Sequence, residues 1–125
     1  MDDFAKLSGV ATDELDRLFA CLPDDLREIA EAVPVICEML PAEDILEEGE
    51  EAGDLLGLFV GDTYAAESFA EDSMPTAIYL FLENIMDMAG GDMREFRREV
   101  RKTYLHEFGH YIDLGEDDLY LRGMD

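Results

Sequence analysis

Two histidines four residues apart are the side chains of this sequence best placed to hold a metal ion. His106 and His110 are the only histidines of the chain. On a helix, this spacing puts both on one face with their Cβ atoms about 5–6 Å apart. Two imidazoles at that separation can each bind a shared Zn²⁺ at about 2.0–2.1 Å. The spacing therefore predicts a zinc site on a helix.

Glu107, directly after the first histidine, is the candidate general base. It projects about 100° round the helix from His106, so it lies beside the metal rather than beneath it. From there its carboxylate can take a proton from an attacking water. The spacing is that of the H-E-x-x-H pattern, whose geometry follows from the helix itself. The alternative interpretation is an idle pair of exposed histidines on the flank of a helix.

The third metal ligand is expected shortly after His110. A catalytic zinc ordinarily takes three protein ligands and keeps one position open. Only 15 residues follow His110, and Glu116, six positions on and just past a turn, is the favoured candidate. Asp117 ranks second, and Asp113 and Asp118 compete with them. Carboxylates that do not bind the metal can orient the imidazoles instead.

A long amphipathic helix is predicted to carry this constellation. Gly90 and Gly91 break the chain before it, and Asp92 with Glu95 forms a D-x-x-E capping box. Gly115 is the expected end, in the position after a helix that favours a left-handed residue. The apolar residues recur at helical spacing, at Met93, Phe96, Val100, Tyr104, Phe108 and Tyr111.

The earlier part of the chain is predicted to form two helices and then three strands. Thr12 is a plausible N-cap of the first helix, which Pro23 ends, and the second helix begins at Asp24 or Asp25. The strands are nearly continuous in apolar residues, which is typical of strands covered on both faces. They are Val33–Leu40, Leu55–Val60 and Thr76–Leu82.

The segment from His106 to Leu119 resembles the motif of the minimal zincins, a bacterial family of zincin-like metallopeptidases of about this length. Residues 55–61 and 75–80 are similar to the strand motifs of that family. The resemblance covers most of residues 12–119. It implies an α+β fold, in which a small mixed sheet of three to four strands packs against helices and the active-site helix is C-terminal. It also implies one domain over residues 1–125 and zinc as the cofactor.

Two positions depart from the family pattern H-E-x-x-H-x-x-G-x-x-D, whose final Asp is the third ligand. Asp113 stands where the family has Gly, and Glu116 stands where it has Asp. Gly115 could supply the turn two residues later, which would favour Asp117 as the ligand. The resemblance thus supports the two histidines and Glu107 and leaves the third ligand open between Glu116 and Asp117.

The charge of the chain excludes some classes of partner. With 32 acidic and 9 basic residues, the net charge is −23, which repels nucleic acids and anionic membranes and attracts basic peptides. The longest apolar run, Ala77–Leu82, is far shorter than the roughly 20 residues of a membrane span. The acidic N-terminus does not resemble a signal peptide. We therefore expect a soluble, cytoplasmic protein that binds neither nucleic acid nor membrane.

The two cysteines are not expected to form a disulfide. Cys21 and Cys37 lie far apart and lack a CxxC spacing. Cys21 stands among Leu18, Phe19 and Leu22, which predicts a reduced thiol packed as a small apolar side chain.

Zinc-dependent hydrolysis of a peptide or protein substrate is the leading hypothesis. An extended substrate could pair with an exposed strand edge, for which Leu55–Val60 and Thr76–Leu82 are the candidates. Tyr111 or Tyr120 could donate a hydrogen bond to the oxyanion, although an aromatic residue near a helix end is more often part of the core.

Two other hypotheses share the same residues. A non-catalytic protein of zincin fold could hold the metal structurally or present its acidic surface to a basic protein partner. Hydrolysis of a non-peptide amide would use the same zinc site and would differ only in the substrate pocket.

Overall fold

The structure is a computed structural model that describes residues 3–42, 46, 52–61 and 76–112. Within these ranges no helix is both long and apolar enough to cross a membrane. The helices and strands, in chain order, are α1 (Asp3–Cys21), α2 (Asp24–Ala32), β1 (Val35–Glu38), a 3₁₀ turn (Ala52–Asp54), β2 (Gly57–Val60), β3 (Ala77–Phe81), α3 (Leu82–Met88) and α4 (Met93–Tyr111).

The three strands form one mixed sheet in the order β1-β3-β2. β3 pairs in parallel with β1 and antiparallel with β2. Four of its five residues are buried, as the continuous apolar run predicts for a central strand. The predicted α+β class with a small mixed sheet of three to four strands is therefore confirmed, and three strands lie in the described residues.

One of the two predicted substrate-binding edges is wrong. The strand expected over Thr76–Leu82 is β3, whose two sides are already paired with β1 and β2. A central strand has no free backbone groups to offer to a peptide. The strand expected over Leu55–Val60 is β2, which lies at one edge of the sheet among the described residues and remains a candidate.

The first helix begins earlier than predicted. α1 starts at Asp3 and runs without a break through Thr12, so Thr12 is not its N-cap. Leu7 and Ala11 extend the buried stripe towards the N-terminus at the same spacing of four that leads to Leu15. Ser8 and Gly9, which disfavour helix by intrinsic propensity, obscure that stripe in the sequence.

The short helix α3 was not predicted. The central strand passes directly into it at Leu82, and the apolar run does not change in character at that point. Gly90 and Gly91 follow with φ of 67° and 80°, a left-handed backbone that favours glycine. Asn84 Nδ2 donates to the Leu55 carbonyl at 2.8 Å, which ties α3 to the segment just before β2.

Helix α4 begins as predicted and ends earlier than predicted. Asp92 Oδ1 accepts hydrogen bonds from the backbone N–H groups of Arg94 and Glu95, at 2.8 and 3.3 Å. The helix ends at Tyr111, where Ile112 donates to the Phe108 carbonyl at 3.1 Å. The expected stop, Gly115, lies outside the described residues.

The apolar stripe of α4 forms the centre of the core. Phe96, Val100, Tyr104 and Phe108 are fully buried, as their helical spacing predicts. The Tyr104 ring lies between Phe19 of α1 and Phe108, with centroid distances of 5.4 and 5.7 Å. Packing of this kind fixes the side of α4 that faces the protein. It therefore also fixes which side chains face outward, including His106 and His110.

Ion pairs from the N-terminal half of α4 hold it against α1. Arg101 contacts Glu14, a buried carboxylate of α1, at 2.9 Å, and Arg97 contacts Asp13 at 2.8 Å. The hydrogen bond from Arg97 holds the pKa of Asp13 below its usual value. A buried carboxylate such as Glu14 needs partners of this kind to offset its desolvation.

The Tyr104 hydroxyl is a defect in this core that a mutation can remove. The hydroxyl oxygen is buried and has no hydrogen-bond partner in the described part of the chain, and burial raises the pKa of the phenol. Replacing Tyr104 with Phe removes the unsatisfied group, so the free energy of unfolding should rise by about 1 kcal/mol in urea denaturation. Tyr79→Phe, at a half-buried position in β3, should change it by less than about 0.5 kcal/mol. A loss of stability in Tyr104→Phe would show that the hydroxyl has a partner.

The cysteines are reduced, but Cys21 is not packed as predicted. Neither thiol forms a disulfide. Cys21 is the last residue of α1 and is exposed, because Leu18 and Leu22 occupy the inward positions. Cys37 is half-buried in β1, where desolvation raises the pKa of its thiol.

Candidate metal centre

The two histidines lie side by side on the last two turns of α4. Both His106 and His110 are exposed, their ring centroids are 4.6 Å apart, and the ring planes are inclined by 53°. A tetrahedral zinc bound to two imidazoles at about 2.0–2.1 Å holds their ring centres on the order of 5 Å apart. The spacing and exposure of this pair therefore fit a shared zinc ion that is open to solvent.

Glu107 connects the helix to the edge strand of the sheet. The side chain is half-buried, and Oε1 accepts a hydrogen bond from the backbone N–H of Phe59 in β2 at 3.0 Å. The two residues are 48 positions apart, so no local pattern in the sequence could have shown this contact. It sets the candidate general base, which directly follows His106 in the chain, against the edge strand.

The Phe59 N–H lies on the outer edge of the sheet. Phe81 of β3 donates to the Leu56 carbonyl at 2.9 Å, so Leu56 forms a hydrogen-bonded pair with β3. Along an antiparallel strand, the backbone N–H and C=O groups of successive residues point alternately towards and away from the partner strand. In this register the backbone groups of Leu58 and Val60 also point towards β3. Gly57 and Phe59 consequently turn their N–H and C=O groups away from the sheet. These are the groups with which an extended peptide could pair.

Gly57 is the point of closest approach between β2 and α4. A Cβ atom there would lie 2.6 Å from Thr103 Cγ2, 3.0 Å from the Tyr79 carbonyl oxygen and 3.5 Å from Glu107 Cγ. Glycine inside a strand often marks a place where another element comes close. The sequence contained that signal, but it did not indicate which helix approaches.

Gly57→Ala should therefore destabilise the protein. The added methyl forces β2 away from α4, and we expect the free energy of unfolding to fall by about 1–3 kcal/mol. Thr103→Ser removes the methyl group that is hit first, so it should restore part of the loss when combined with Gly57→Ala. Gly53→Ala, where nothing lies within 4 Å, is the matched control. Purely additive effects in the double variant would contradict the predicted contact.

The remaining candidate site residues lie only partly within the described ranges. Tyr111 is buried, and its ring packs against Phe59 with centroids 5.5 Å apart, which is the packing of a core aromatic. Tyr120, the other candidate oxyanion donor, lies outside the described residues. So do Asp113, Glu116 and Asp117, the candidates for the third ligand. Within the described ranges no group of three His, Cys, Asp or Glu side chains is placed to hold a metal.

A cleft of about 410 Å³ opens next to the histidines, on the N-terminal side of His106 along α4. We call it the side cleft. It is lined by Leu55, Leu56, Gly57, Met88, Glu99, Lys102, Thr103, His106 and Glu107. The candidate base and one candidate metal ligand therefore share a cavity with the start of the edge strand.

A comparison with known families gives a match over most of the chain. The model of the zincin-like metallopeptidase family matches residues 30–124, about three quarters of the chain. The match spans all three strands and α4 with its histidine pair. A search of curated proteins gave no match. The chain belongs to the zincin-like metallopeptidase family.

Proposed function

We propose that the protein is a zinc-dependent peptidase in which His106 and His110 bind the metal and Glu107 is the general base. The observation that carries the proposal is the position of Glu107. Its carboxylate accepts a hydrogen bond from the outward-facing N–H of Phe59 in the edge strand, and Glu107 directly follows His106 of the exposed histidine pair. Membership of the zincin-like metallopeptidase family supports the same chemistry.

The residues of the chain divide the reaction between them. Zinc held by the two imidazoles would supply a water of lowered pKa and would polarise the scissile carbonyl. Glu107 takes the proton of the attacking water on a carboxylate oxygen and passes it to the nitrogen of the leaving amine. Glu116 is the proposed third ligand, and Asp117 and then Asp113 are the alternatives.

The edge of β2 is the proposed docking site for the peptide backbone. An extended substrate can accept a hydrogen bond from the Phe59 N–H and can pair with the outward groups of Gly57. In the free protein that N–H is bound to Glu107 Oε1. A substrate carbonyl at Phe59 would replace the carboxylate there, so docking would free Glu107 Oε1 to accept a proton at the moment that substrate is in place.

Removal of the metal tests the proposed function. We expect cleavage of a quenched fluorescent peptide library by the purified protein to stop after dialysis against a chelator. It should return when about one equivalent of zinc per chain is added. Magnesium, which prefers octahedral oxygen ligands, should not restore cleavage. Cleavage that survives removal of zinc would contradict the proposal, and so would a zinc-loaded protein that cleaves no peptide in the library.

A further inference from the structure

The side cleft contains an exposed apolar wall beside the candidate catalytic residues. Met88, the last residue of α3, is 62% exposed. Leu55 and Leu56, which precede β2, are half-buried on the same cleft. The other large apolar side chains exposed in the described part of the chain, Phe4 and Leu40, do not line it. Exposed apolar surface in a groove often marks a ligand-binding site.

Two of the charged groups that line the side cleft, Glu99 and Lys102, form an ion pair with each other. Lys102 Nζ lies 3.9 Å from Glu99 Oε1, one turn earlier on α4. The net charge of the whole chain is −23, whereas this pair contributes no net charge at the cleft. The remaining carboxylate of the lining, Glu107, accepts a hydrogen bond from the Phe59 N–H. The apolar wall is left for a substrate side chain, and an apolar one would bury surface against Met88 and the two leucines.

The position of the cleft relates it to the backbone-docking edge. Gly57 both lines the side cleft and turns its N–H and C=O groups outward. A peptide paired with this edge projects alternate side chains to opposite sides. Since His106 and Glu107 also line the cleft, the side chain that enters it belongs to a residue close to the bond being cleaved.

We propose that the side cleft is a specificity subsite that accepts a large apolar side chain, such as Leu, Met or Phe, from the substrate residue next to the scissile bond. Met88 is its principal contact. The proposal rests on the proposed peptidase function, because it treats the occupant as part of a substrate. It adds a preference that the histidine pair and Glu107 do not themselves determine.

The test measures binding without hydrolysis. Protein labelled with ¹³C at the methionine methyl groups is freed of metal and titrated with acetyl-Gly-Gly-Leu-Gly-Gly-amide at up to millimolar concentrations. A matched peptide carries Ser in place of Leu. The Met88 signal is assigned by its absence from the spectrum of Met88→Leu. We expect the Leu peptide to shift this signal saturably and to bind about tenfold more tightly than the Ser peptide.

The control variants distinguish binding in the side cleft from nonspecific binding to exposed apolar side chains. Met88→Lys should reduce the Leu-over-Ser preference by about tenfold. Because this variant lacks the Met88 methyl signal, peptide binding is followed through the backbone amide signal of Gly57. Leu40→Lys exchanges another exposed apolar residue, which lies outside the cleft, and should leave the preference unchanged. The subsite is overturned if the two peptides bind equally, if neither shifts the Met88 signal, or if Met88→Lys leaves the preference intact.

The same titration distinguishes the subsite from the peptidase itself. A Leu preference in the metal-free protein, with no cleavage by the zinc-loaded protein, would support the subsite and contradict the proposed function. Cleavage without any Leu preference would support the proposed function and contradict the subsite.

Discussion

Glu107→Gln is expected to lower kcat/KM for peptide cleavage by about 10²–10⁴-fold, the usual contribution of a general base. The substitution removes the group that takes the proton while it preserves the size of the side chain. The amide oxygen of glutamine can still accept the hydrogen bond that Glu107 Oε1 accepts from Phe59 N–H. Zinc content and the free energy of unfolding should therefore change little.

Glu95→Gln is the matched control for this variant. Glu95 is on the same helix, twelve positions before Glu107, and its side chain is exposed and contacts only Arg98 among the described ion pairs. About 18 Å of helix separates the two positions at 1.5 Å per residue. Loss of the Glu95 carboxylate should therefore leave kcat/KM unchanged. If Glu107→Gln cleaved peptides as fast as the wild-type protein, Glu107 would not be the base. A non-catalytic zincin-fold protein that binds metal or a basic partner would then be the better model.

The site residues that are close in the chain could be predicted, because a helix converts sequence spacing directly into distance. His106 and His110 lie side by side as the spacing of four requires. The cap at Asp92 and the buried stripe through Phe96 and Phe108 followed from the same periodicity. These features depend on the α4 backbone alone.

The contacts between distant segments could not be predicted in this way. Phe59 contacts Glu107 because β2 packs on α4. Neither the strand pattern of β2 nor the helix pattern of α4 indicates which residues of the two elements meet. The strand order β1-β3-β2 is equally non-local, which is why the edge assigned to Thr76–Leu82 was wrong. Met88 was also missed, since α3 follows the central strand without a change in apolar character.

Loss of zinc from the histidine variants is the second large effect that we expect. His106→Ala and His110→Ala each remove one of the two imidazoles that lie 4.6 Å apart on α4. A site left with a single imidazole loses the geometry that holds a tetrahedral zinc. Both side chains are exposed, so the free energy of unfolding of the metal-free protein should change by less than about 0.5 kcal/mol.

The carboxylate variants then identify the third ligand. Glu116→Ala should lower the zinc content if Glu116 completes the site, whereas retention of zinc would point to Asp117 or Asp113. Arg98→Ala is the control on α4, because its side chain is exposed and pairs only with Glu95 among the described ion pairs. It should leave the zinc content unchanged.

Metal content per chain, measured by mass spectrometry on purified wild-type, His106→Ala and His110→Ala proteins, tests the zinc centre most directly. We expect about one zinc per chain in the wild-type protein and almost none in either variant. A wild-type protein that binds no zinc when zinc is supplied, or histidine variants that keep it, would contradict a metal centre at His106 and His110.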